Sequence, residues 1–165
     1  MSIGRFYAGI AAVIWTPTMK QYLLLRRSEE KDFGAGVWEC VTGRVDQGEG
    51  FEDALQREVY EELGVQVQVE HILGTTHFYR GPQGPENELV GVVYLCSLVD
   101  PASIRISAEH TEFRWLPAVQ ALELLSATDP STQWARRVIE RAELVRSLLP
   151  KELVSIQNQA GLEFG

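Results

Sequence analysis

The sequence predicts an α+β fold, an α/β/α sandwich in which a mixed β-sheet is flanked by helices. Strand-like apolar runs, among them Leu89–Val99, stand among segments with helical spacing. The chain has 165 residues, of which 45% are hydrophobic and 23% charged, as expected for a globular protein with a real core. We therefore expect a single domain over residues 1–165.

Three strands are predicted in the first part of the chain. Phe6–Trp15 and Gln21–Arg26 are apolar runs that are typical of strands. The charged, glycine-containing loop Ser28–Gly36 follows, and Val37–Thr42 then forms a short strand that ends at Gly43.

A helix is predicted at Phe51–Leu63, after the tight loop Asp46–Gly50. Apolar residues recur there at helical spacing, and Gly64 is well placed to end the helix. The stripe consists of Phe51, Ala54, Leu55, Val59 and Leu63.

The middle of the chain predicts three further strand segments. Val65–Tyr79 is one long strand or two, with a bulge or bend at Gly74. After the turn-rich loop Arg80–Asn87, Leu89–Val99 is apolar along nearly its whole length, which indicates a central strand buried on both faces. Glu112–Leu116 is a short strand.

Two helices are predicted near the C-terminus. The first covers Pro117–Leu125. Asp129 and Pro130 then form an N-cap and first helical residue, and the helix behind them carries apolar residues at helical spacing. The tail after Leu153 has weak periodicity and is expected to be loosely held.

Charge and cysteine content exclude some classes of protein. A formal net charge of −8 argues against nucleic-acid binding, which requires a basic surface. Cys40 and Cys96 have no zinc-site spacing and are expected to be buried free thiols. Free thiols favour a reducing compartment, so we expect a cytoplasmic protein. The apolar run Tyr7–Trp15 is too short to cross a bilayer, so we expect no membrane contact.

The predicted helix carries three glutamates on or beside its apolar stripe. Glu58, Glu61 and Glu62 stand at i, i+3 and i+4 and therefore share one face. Like charges on a face that is normally buried are costly unless a cation lies among them. Carboxylate oxygens are ligands suited to Mg²⁺, so the pattern favours a divalent-metal site.

The segment Gly43–Val65, GRVDQGEGFEDALQREVYEELGV, resembles the Nudix box, G-x₅-E-x₇-R-E-U-x-E-E-x-G-U, where U is a bulky aliphatic residue. Every defined position of the box is matched. The matching residues are Gly43, Glu49, Arg57, Glu58, Val59, Glu61, Glu62, Gly64 and Val65.

This resemblance implies a Nudix fold and hydrolysis of a nucleoside diphosphate linked to some moiety X. It also implies Mg²⁺ as cofactor, with Mn²⁺ as a substitute. By the same resemblance Glu58 and Glu62 are metal ligands, and Glu61 is a ligand or lies very near the metal. A backbone carbonyl at or near Gly43 is implied as a further ligand.

The sequence leaves the roles of several acidic residues open. Arg57 is expected to pair with Glu49 or Glu61 and so to hold the carboxylates in place.

The general base is one of the helix glutamates, Glu61 or Glu58, or a glutamate of a later loop. Relatives often place such a residue just before a strand like that of Trp115, which favours Glu109. Glu112 and Glu88 are alternatives.

Two short stretches narrow the substrate. Val41-Thr42 before Gly43, and residues 108–116 (AEHTEFRWL), are similar to bacterial dihydroneopterin triphosphate pyrophosphatases, which also accept deoxynucleoside triphosphates. We therefore expect a small nucleoside triphosphate-like substrate, cleaved to a monophosphate and pyrophosphate. The second stretch is also similar to diadenosine tetraphosphate hydrolases, so hydrolysis of diadenosine polyphosphates or of another nucleoside diphosphate-X compound is the alternative. A non-catalytic nucleotide-binding Nudix sensor is the alternative of another class.

Aromatic and basic residues outside the box are the candidate substrate contacts. Phe78, Tyr79 and Trp134 are candidates for stacking on a base or pterin ring.

Arg26, Arg27, Arg44 and Arg80 are candidate phosphate contacts. Arg26 and Arg27 alternate along a strand, so at most one of them faces the site. A homodimer is expected by analogy with relatives.

Overall fold

The structure, a computed structural model, describes residues 4–30 and 34–165, so the middle of the predicted loop Ser28–Gly36 lies outside the described residues. The strands are β1 (Tyr7–Thr16), β2 (Gln21–Arg27), β3 (Trp38–Glu39), β4 (Val41–Arg44), β5 (Gln68–Tyr79), β6 (Glu88–Ser97) and β7 (His110–Leu116). The helices are α1 (Phe51–Leu63), α2 (Ala118–Leu124), α3 (Pro130–Leu148) and α4 (Lys151–Ala160), and a single 3₁₀ turn covers Pro101–Ser103.

The strands form one mixed sheet in the order β3-β2-β1-β6-β5, with β4 paired to β1 and β7 paired to β2. β1 and β6 run parallel, whereas the other paired strands are antiparallel. β6 therefore lies between β1 and β5, which confirms that the apolar segment around Leu89–Val99 is a central strand.

The side chains of β1 point alternately to the two faces of the sheet and contact a different helical layer on each face. Ile10 and Ile14 pack with the apolar face of α1, whereas Ala11 and Val13 pack with α2 and α3 on the opposite face of the sheet. Since successive side chains of a strand point to opposite faces, an all-apolar strand such as β1 needs a helical layer on each side. The predicted α/β/α sandwich is confirmed.

The region Val37–Thr42 was predicted as one strand, and this prediction is wrong. The chain crosses at Cys40 from one partner to another: β3 pairs with β2, whereas β4 pairs with β1. This is possible because β1 and β2 pair only at their hairpin end, Trp15 with Tyr22 and Thr16 with Gln21, and other strands pair with them beyond it.

Other boundaries differ by a few residues. β5 starts at Gln68 rather than Val65, and its register against β6 shifts between Ile72 and Gly74, as the predicted bend at Gly74 requires. β7 starts two residues earlier than predicted, since His110 already pairs with Arg27.

Helix ends follow local capping rules. α1 has the predicted bounds and ends at Gly64, whose φ of 68° is a left-handed conformation that glycine adopts readily. Asp129 caps α3 by accepting a hydrogen bond from the Thr132 N–H at 2.9 Å. The tail forms α4, and none of this helix's residues is buried; loose attachment of the tail stays a prediction.

Cys40 and Cys96 are buried free thiols, and burial raises the pKa of both. Among the described residues, no helix combines the length and apolar character needed to cross a bilayer.

Candidate functional site

Helix α1 carries the glutamates because its apolar residues hold one face against the sheet. Ala54, Leu55, Val59 and Leu63 are fully buried there. Glu62 lies on this buried face, Glu58 lies at its edge, and Glu61 is largely exposed, with 59% of its side chain accessible. The three carboxylates thus lie in three different environments.

Glu62 is a buried acid with an unpaired oxygen. The residue is 6% exposed, and among the described residues no group hydrogen-bonds to its Oε2. Burial is the main cause that raises the pKa of Glu62 to about 9, and the negative charges of Glu39, Glu58 and Glu109 contribute to the same rise. A protonated carboxyl group, or a carboxylate with a cation beside it, satisfies such a position.

Glu58 lies against the backbone of β4. Its Oε1 accepts hydrogen bonds from the Arg44 N–H at 3.2 Å and from the Arg57 Nη1 at 2.9 Å. Burial raises its pKa, and Arg57 opposes that shift. Gly43 leaves room for this carboxylate, because a Cβ at that position would overlap the Glu58 Cδ.

Arg57 connects the loop before α1 to the helix. Its Nε and Nη2 donate to the two carboxylate oxygens of Glu49, both at 2.8 Å, and Nη2 also donates to the Arg44 carbonyl at 2.8 Å. Arg57 holds the pKa of Glu49 at about 2. Its contact with Glu61 is longer, at 3.5 Å, so the guanidinium is engaged mainly by Glu49 and Glu58.

A second acidic group faces α1 and was not foreseen from the sequence. Glu39 of β3 accepts a hydrogen bond from the Arg27 Nη1 at 3.0 Å, and its Oε1 lies 3.1 Å from the His110 Nε2. The other ring nitrogen of His110, Nδ1, lies 3.9 Å from the Glu62 Oε2. The signal available in the sequence was a single charge, Glu39, within an otherwise apolar run from Val37 to Val41.

The loop glutamates separate clearly by position. Glu109 lines the cavity beside Glu62, and its backbone carbonyl accepts a hydrogen bond from the Ser28 N–H at 2.8 Å. Glu112 pairs with Arg114 at 2.7 Å, and neither of these two residues lines the cavity. Glu88 lies 2.9 Å from His77, which lines the cavity, but Glu88 itself is not part of the lining.

A cavity of about 540 Å³ lies beside the glutamates of α1, and its volume is within the range of small-molecule sites. The glutamates that line it are Glu39, Glu58, Glu62 and Glu109. Four arginines line it: Arg27, Arg44, Arg80 and Arg137. Burial lowers the pKa of Arg80, and the nearby charges of Arg44 and Arg27 lower it further, which shows that these cations lie near one another.

Arg26 is placed differently from its neighbour Arg27. The strand alternation turns Arg27 to the cavity, whereas Arg26 is exposed and lies 3.5 Å from Glu29. The prediction that Arg26 contacts substrate thus receives no support from its position, and Arg27 is the one of the two predicted candidates that lines the cavity.

The three predicted ring contacts all line the same cavity. Phe78 and Tyr79 come from the end of β5, and Trp134 comes from the first turns of α3. The Trp134 Nε1 donates to the Thr76 Oγ1 at 3.1 Å, which fixes the indole ring against β5. Arg137 stands one turn further along α3.

The residues present suit a divalent cation in their chemistry. In the described part of the chain, no three acidic, histidine or cysteine side chains form a ready cluster of ligands. The fit rests instead on the unpaired, buried Oε2 of Glu62 and on the space that Gly43 leaves for the Glu58 carboxylate. The carboxylates of Glu58 and Glu62 therefore have the chemistry that suits an ion of the Mg²⁺ type.

Gly43→Ala tests the close approach of Glu58 to β4. The added Cβ overlaps the carboxyl end of Glu58, which is flexible, so the variant is expected to fold. Displacing the carboxylate should lower kcat/KM by about 10²-fold, since small misplacements at a reacting centre are costly. Kinetics and thermal unfolding of the variant check both expectations.

A double variant provides the control for Gly43→Ala. If both changes act through the same carboxylate, Gly43→Ala combined with Glu58→Gln should be no worse than Glu58→Gln alone. Additive losses, or full activity in Gly43→Ala, would contradict the assigned role of this glycine.

Known proteins are similar to this chain in sequence and in fold. A family model described as the NUDIX domain matches residues 6–142. The chain is 29% identical over 125 residues to the dihydroneopterin triphosphate diphosphatase of Escherichia coli (strain K12), which covers 70% of this chain and 81% of that protein. It is 31% identical over 120 residues to the octanoyltransferase of Myxococcus xanthus, which covers 73% of this chain and 31% of that protein.

A solved structure, that of the MutT protein from Methanosarcina mazei Go1, is similar with a TM-score of 0.69 and 26% identity, covering 88% of this chain and 99% of that one. The chain spans about a third of the length of several curated relatives that it matches, including the octanoyltransferase.

Proposed function

The chain belongs to the NUDIX domain family, and from this premise we propose that it is a hydrolase that cleaves a phosphoanhydride of a nucleoside triphosphate-like substrate. The products are a monophosphate and pyrophosphate. The observation that carries the proposal is the cavity itself, which is lined by four glutamates, four arginines and three aromatic rings. In a chain with a net charge of −8, such a concentration of arginines indicates an anionic ligand.

The substrate's phosphates bind, in this proposal, to the arginines of the cavity. Arg27, Arg44 and Arg80 offer guanidinium groups that suit phosphate oxygens. Arg44 lies over the ring of Tyr7, 4.3 Å from its centroid, which restrains the side chain and prepares it for binding.

A divalent cation, Mg²⁺ or Mn²⁺, is held in this proposal by Glu58, Glu62 and the Gly43 carbonyl, and would supply charge neutralisation and a more acidic water. Arg57 keeps Glu58 and Glu49 in fixed positions through its hydrogen bonds to both. The chain's own part is to present the two carboxylates on the helix α1 and the carbonyl on the strand β4.

Glu109 is the proposed general base. The residue lines the cavity, and its negative charge lies close enough to Glu62 to contribute to the raised pKa of that residue. Glu58 is a weaker candidate because its Oε1 already accepts two hydrogen bonds and the residue is one of the proposed metal donors. Glu61 is not part of the cavity lining and is largely exposed.

The substrate's ring is proposed to stack against Trp134, with Tyr79 and Phe78 nearby. The hydrogen bond to Thr76 holds the indole in place before binding, so less freedom is lost when a ring stacks on it. The homologous dihydroneopterin triphosphate diphosphatase supports a fused ring as one candidate. A cytoplasmic location and a homodimer stay predictions.

A substrate panel tests the proposal. Purified protein with Mg²⁺ should release pyrophosphate from nucleoside triphosphates or dihydroneopterin triphosphate, and the release should stop in EDTA. With water labelled by ¹⁸O, the label should appear in the monophosphate if attack occurs at the α-phosphorus. Diadenosine tetraphosphate and ADP-ribose in the same panel test the alternative of another nucleoside diphosphate-X substrate.

The outcome against the proposal is equally direct. If folded protein with metal releases no product from any phosphoanhydride after long incubation, hydrolysis is excluded. Nucleotide binding measured in the same sample would then favour the sensor.

A further inference from the structure

The last residues of the chain lie outside the segment 6–142 that the family shares, yet they return to the glutamate helix. α4 packs along β5, where the His71 Nδ1 lies 3.2 Å from the Gln157 Oε1. After α4 the chain turns at Gly161, whose φ is 75°, and Leu162 packs against the apolar core on the α1 side of the sheet. The turn brings residues 162 and 163 to the N-terminus of α1.

Glu163 and Glu52 bind each other's backbone. The Glu52 N–H donates to the Glu163 Oε2 at 3.2 Å. In return, the Glu52 Oε2 accepts from the Leu162 N–H at 2.9 Å and from the Glu163 N–H at 3.1 Å. We call the group Glu52, Leu162 and Glu163 the C-terminal clasp.

The clasp supplies what the helix start lacks. The N-cap of α1 is Gly50, which has no side chain to accept a hydrogen bond from the first-turn N–H groups. Glu163 provides that acceptor from the other end of the chain, and its negative charge suits the positive end of the helix dipole. Gly50 leaves the space, because a Cβ there would lie 2.8 Å from the Glu163 Oε2.

The first turn of α1, which the C-terminal clasp holds, lies next to the hydrogen-bonded carboxylates of the cavity. Glu49 immediately precedes Gly50, and its carboxylate accepts two hydrogen bonds from Arg57. Arg57 in turn donates to Glu58. A displacement of the backbone at Gly50 or Glu52 is therefore transmitted to Glu58 through the side chains of Glu49 and Arg57.

We propose that Glu163 is a positioning residue: through the C-terminal clasp it fixes the first turn of α1 and so holds Glu49, Arg57 and Glu58 in the arrangement that binds a divalent cation. The cation is part of the function proposed above, whereas the ordering of Arg57 is independent of it. Removing the clasp makes the position of Arg57 less fixed and weakens cation binding, but it removes no residue from the apolar core.

The experiment compares Glu163→Ala with the parent protein in two measurements that need no substrate. One is Mn²⁺ affinity by titration, and the other is exchange of the Arg57 Nε–H proton by NMR in EDTA. Glu163→Ala should weaken Mn²⁺ binding about three- to tenfold, below the 10- to 100-fold typical of residues that touch a metal ligand. The Arg57 Nε–H should exchange faster at temperatures well below unfolding.

Two variants separate positioning from general stability. Glu163→Gln keeps an oxygen acceptor and should restore both readouts. Glu152→Ala removes an exposed glutamate from the first turn of α4 and should change neither. If Glu163→Ala does not fold, Glu163→Asp gives the same comparison, because its shorter side chain retracts the carboxylate from Glu52.

The proposal is overturned if Glu163→Ala only lowers the unfolding temperature while Mn²⁺ affinity and Arg57 exchange match the parent protein. If the parent protein binds no Mn²⁺, the metal part of the proposed function fails. The Arg57 exchange rates in EDTA still decide whether the clasp orders this network.

Discussion

Glu62→Gln is expected to lower turnover on the order of 10²- to 10³-fold, the loss typical when one charge-stabilising group is removed from a reaction centre. Its Oε2 is the buried oxygen to which no described residue hydrogen-bonds, and it is one of the proposed metal donors. The amide of glutamine has the same shape but carries no charge, so it is a poor ligand for a hard cation. The core around Leu55 and Leu63 is unaffected, so the fold should be retained.

The same variant should change how stability depends on pH in EDTA. The pKa of Glu62 is about 9 in the fold against an ordinary value of 4.5, so the folded protein binds a proton that the unfolded chain has lost. The contribution of Glu62 to the free energy of unfolding is therefore fully present below pH 4.5. It declines as the pH rises towards 9, by up to about 1.4 kcal/mol per pH unit. Glu62→Gln removes this decline, and denaturant unfolding at several pH values measures it.

Glu112→Gln is the matched control for Glu62→Gln. Glu112 is a glutamate that pairs with Arg114 outside the cavity lining, so its replacement should leave both turnover and the pH dependence unchanged. Turnover of Glu62→Gln within twofold of the parent protein, with metal present, would exclude Glu62 from the reaction.

Arg57→Lys is expected to produce the second large effect. The guanidinium donates to both oxygens of Glu49, to Glu58 and to the Arg44 carbonyl, and a lysine ammonium cannot reproduce this fork. We expect kcat/KM to fall by about 10- to 100-fold, as for other groups that orient metal ligands. Lost charge-assisted hydrogen bonds should also reduce the free energy of unfolding by roughly 1–3 kcal/mol.

Part of the free energy of unfolding that Arg57 contributes depends on pH. It increases with rising pH, whereas the contribution of Glu62 decreases. Arg57 lowers the pKa of Glu49 to about 2 from 4.5, so this contribution is present above pH 4.5 and is lost as the pH falls through 2. The difference in unfolding free energy between Arg57→Lys and the parent protein should therefore shrink in acid.

Arg136→Lys is the control, since Arg136 donates to the Leu122 carbonyl and pairs with Glu140 away from the cavity. Equal losses of activity in the two lysine variants would contradict a specific role for Arg57.

The glutamate helix α1 could be predicted from sequence because the signals for it lie between residues that are close together in the chain. Helical spacing alone puts Glu58 and Glu62 on or beside the apolar face, and the glycine at position 64 marks the helix end. Phe78, Tyr79 and Trp134 were also named as candidates, and the fold brings them to one cavity with Glu58 and Glu62.

Residues that depend on strand pairing could not be placed from sequence in this way. Glu39 reaches His110 because β2 pairs with both β3 and β7, a tertiary arrangement that local spacing does not encode. The choice between Arg26 and Arg27 depended on which face of β2 meets the cavity. The division of Val37–Thr42 into two strands arises because β1 and β2 separate beyond their hairpin, which no run of apolar residues reveals.

The parallel pairing of β1 with β6 has a consequence for how the chain acquires its site. Ile10 lies opposite Val92, so this contact closes a long loop whose entropy is lost before the sheet is complete. β1 contributes Gly9, Ile10 and Ala11 to the cavity wall, and α3, which carries Trp134, follows β6 in the chain. A nascent chain that has not yet produced β6 and α3 therefore lacks part of the cavity wall, and a ligand of this cavity can stabilise the fold only after both elements have been synthesised.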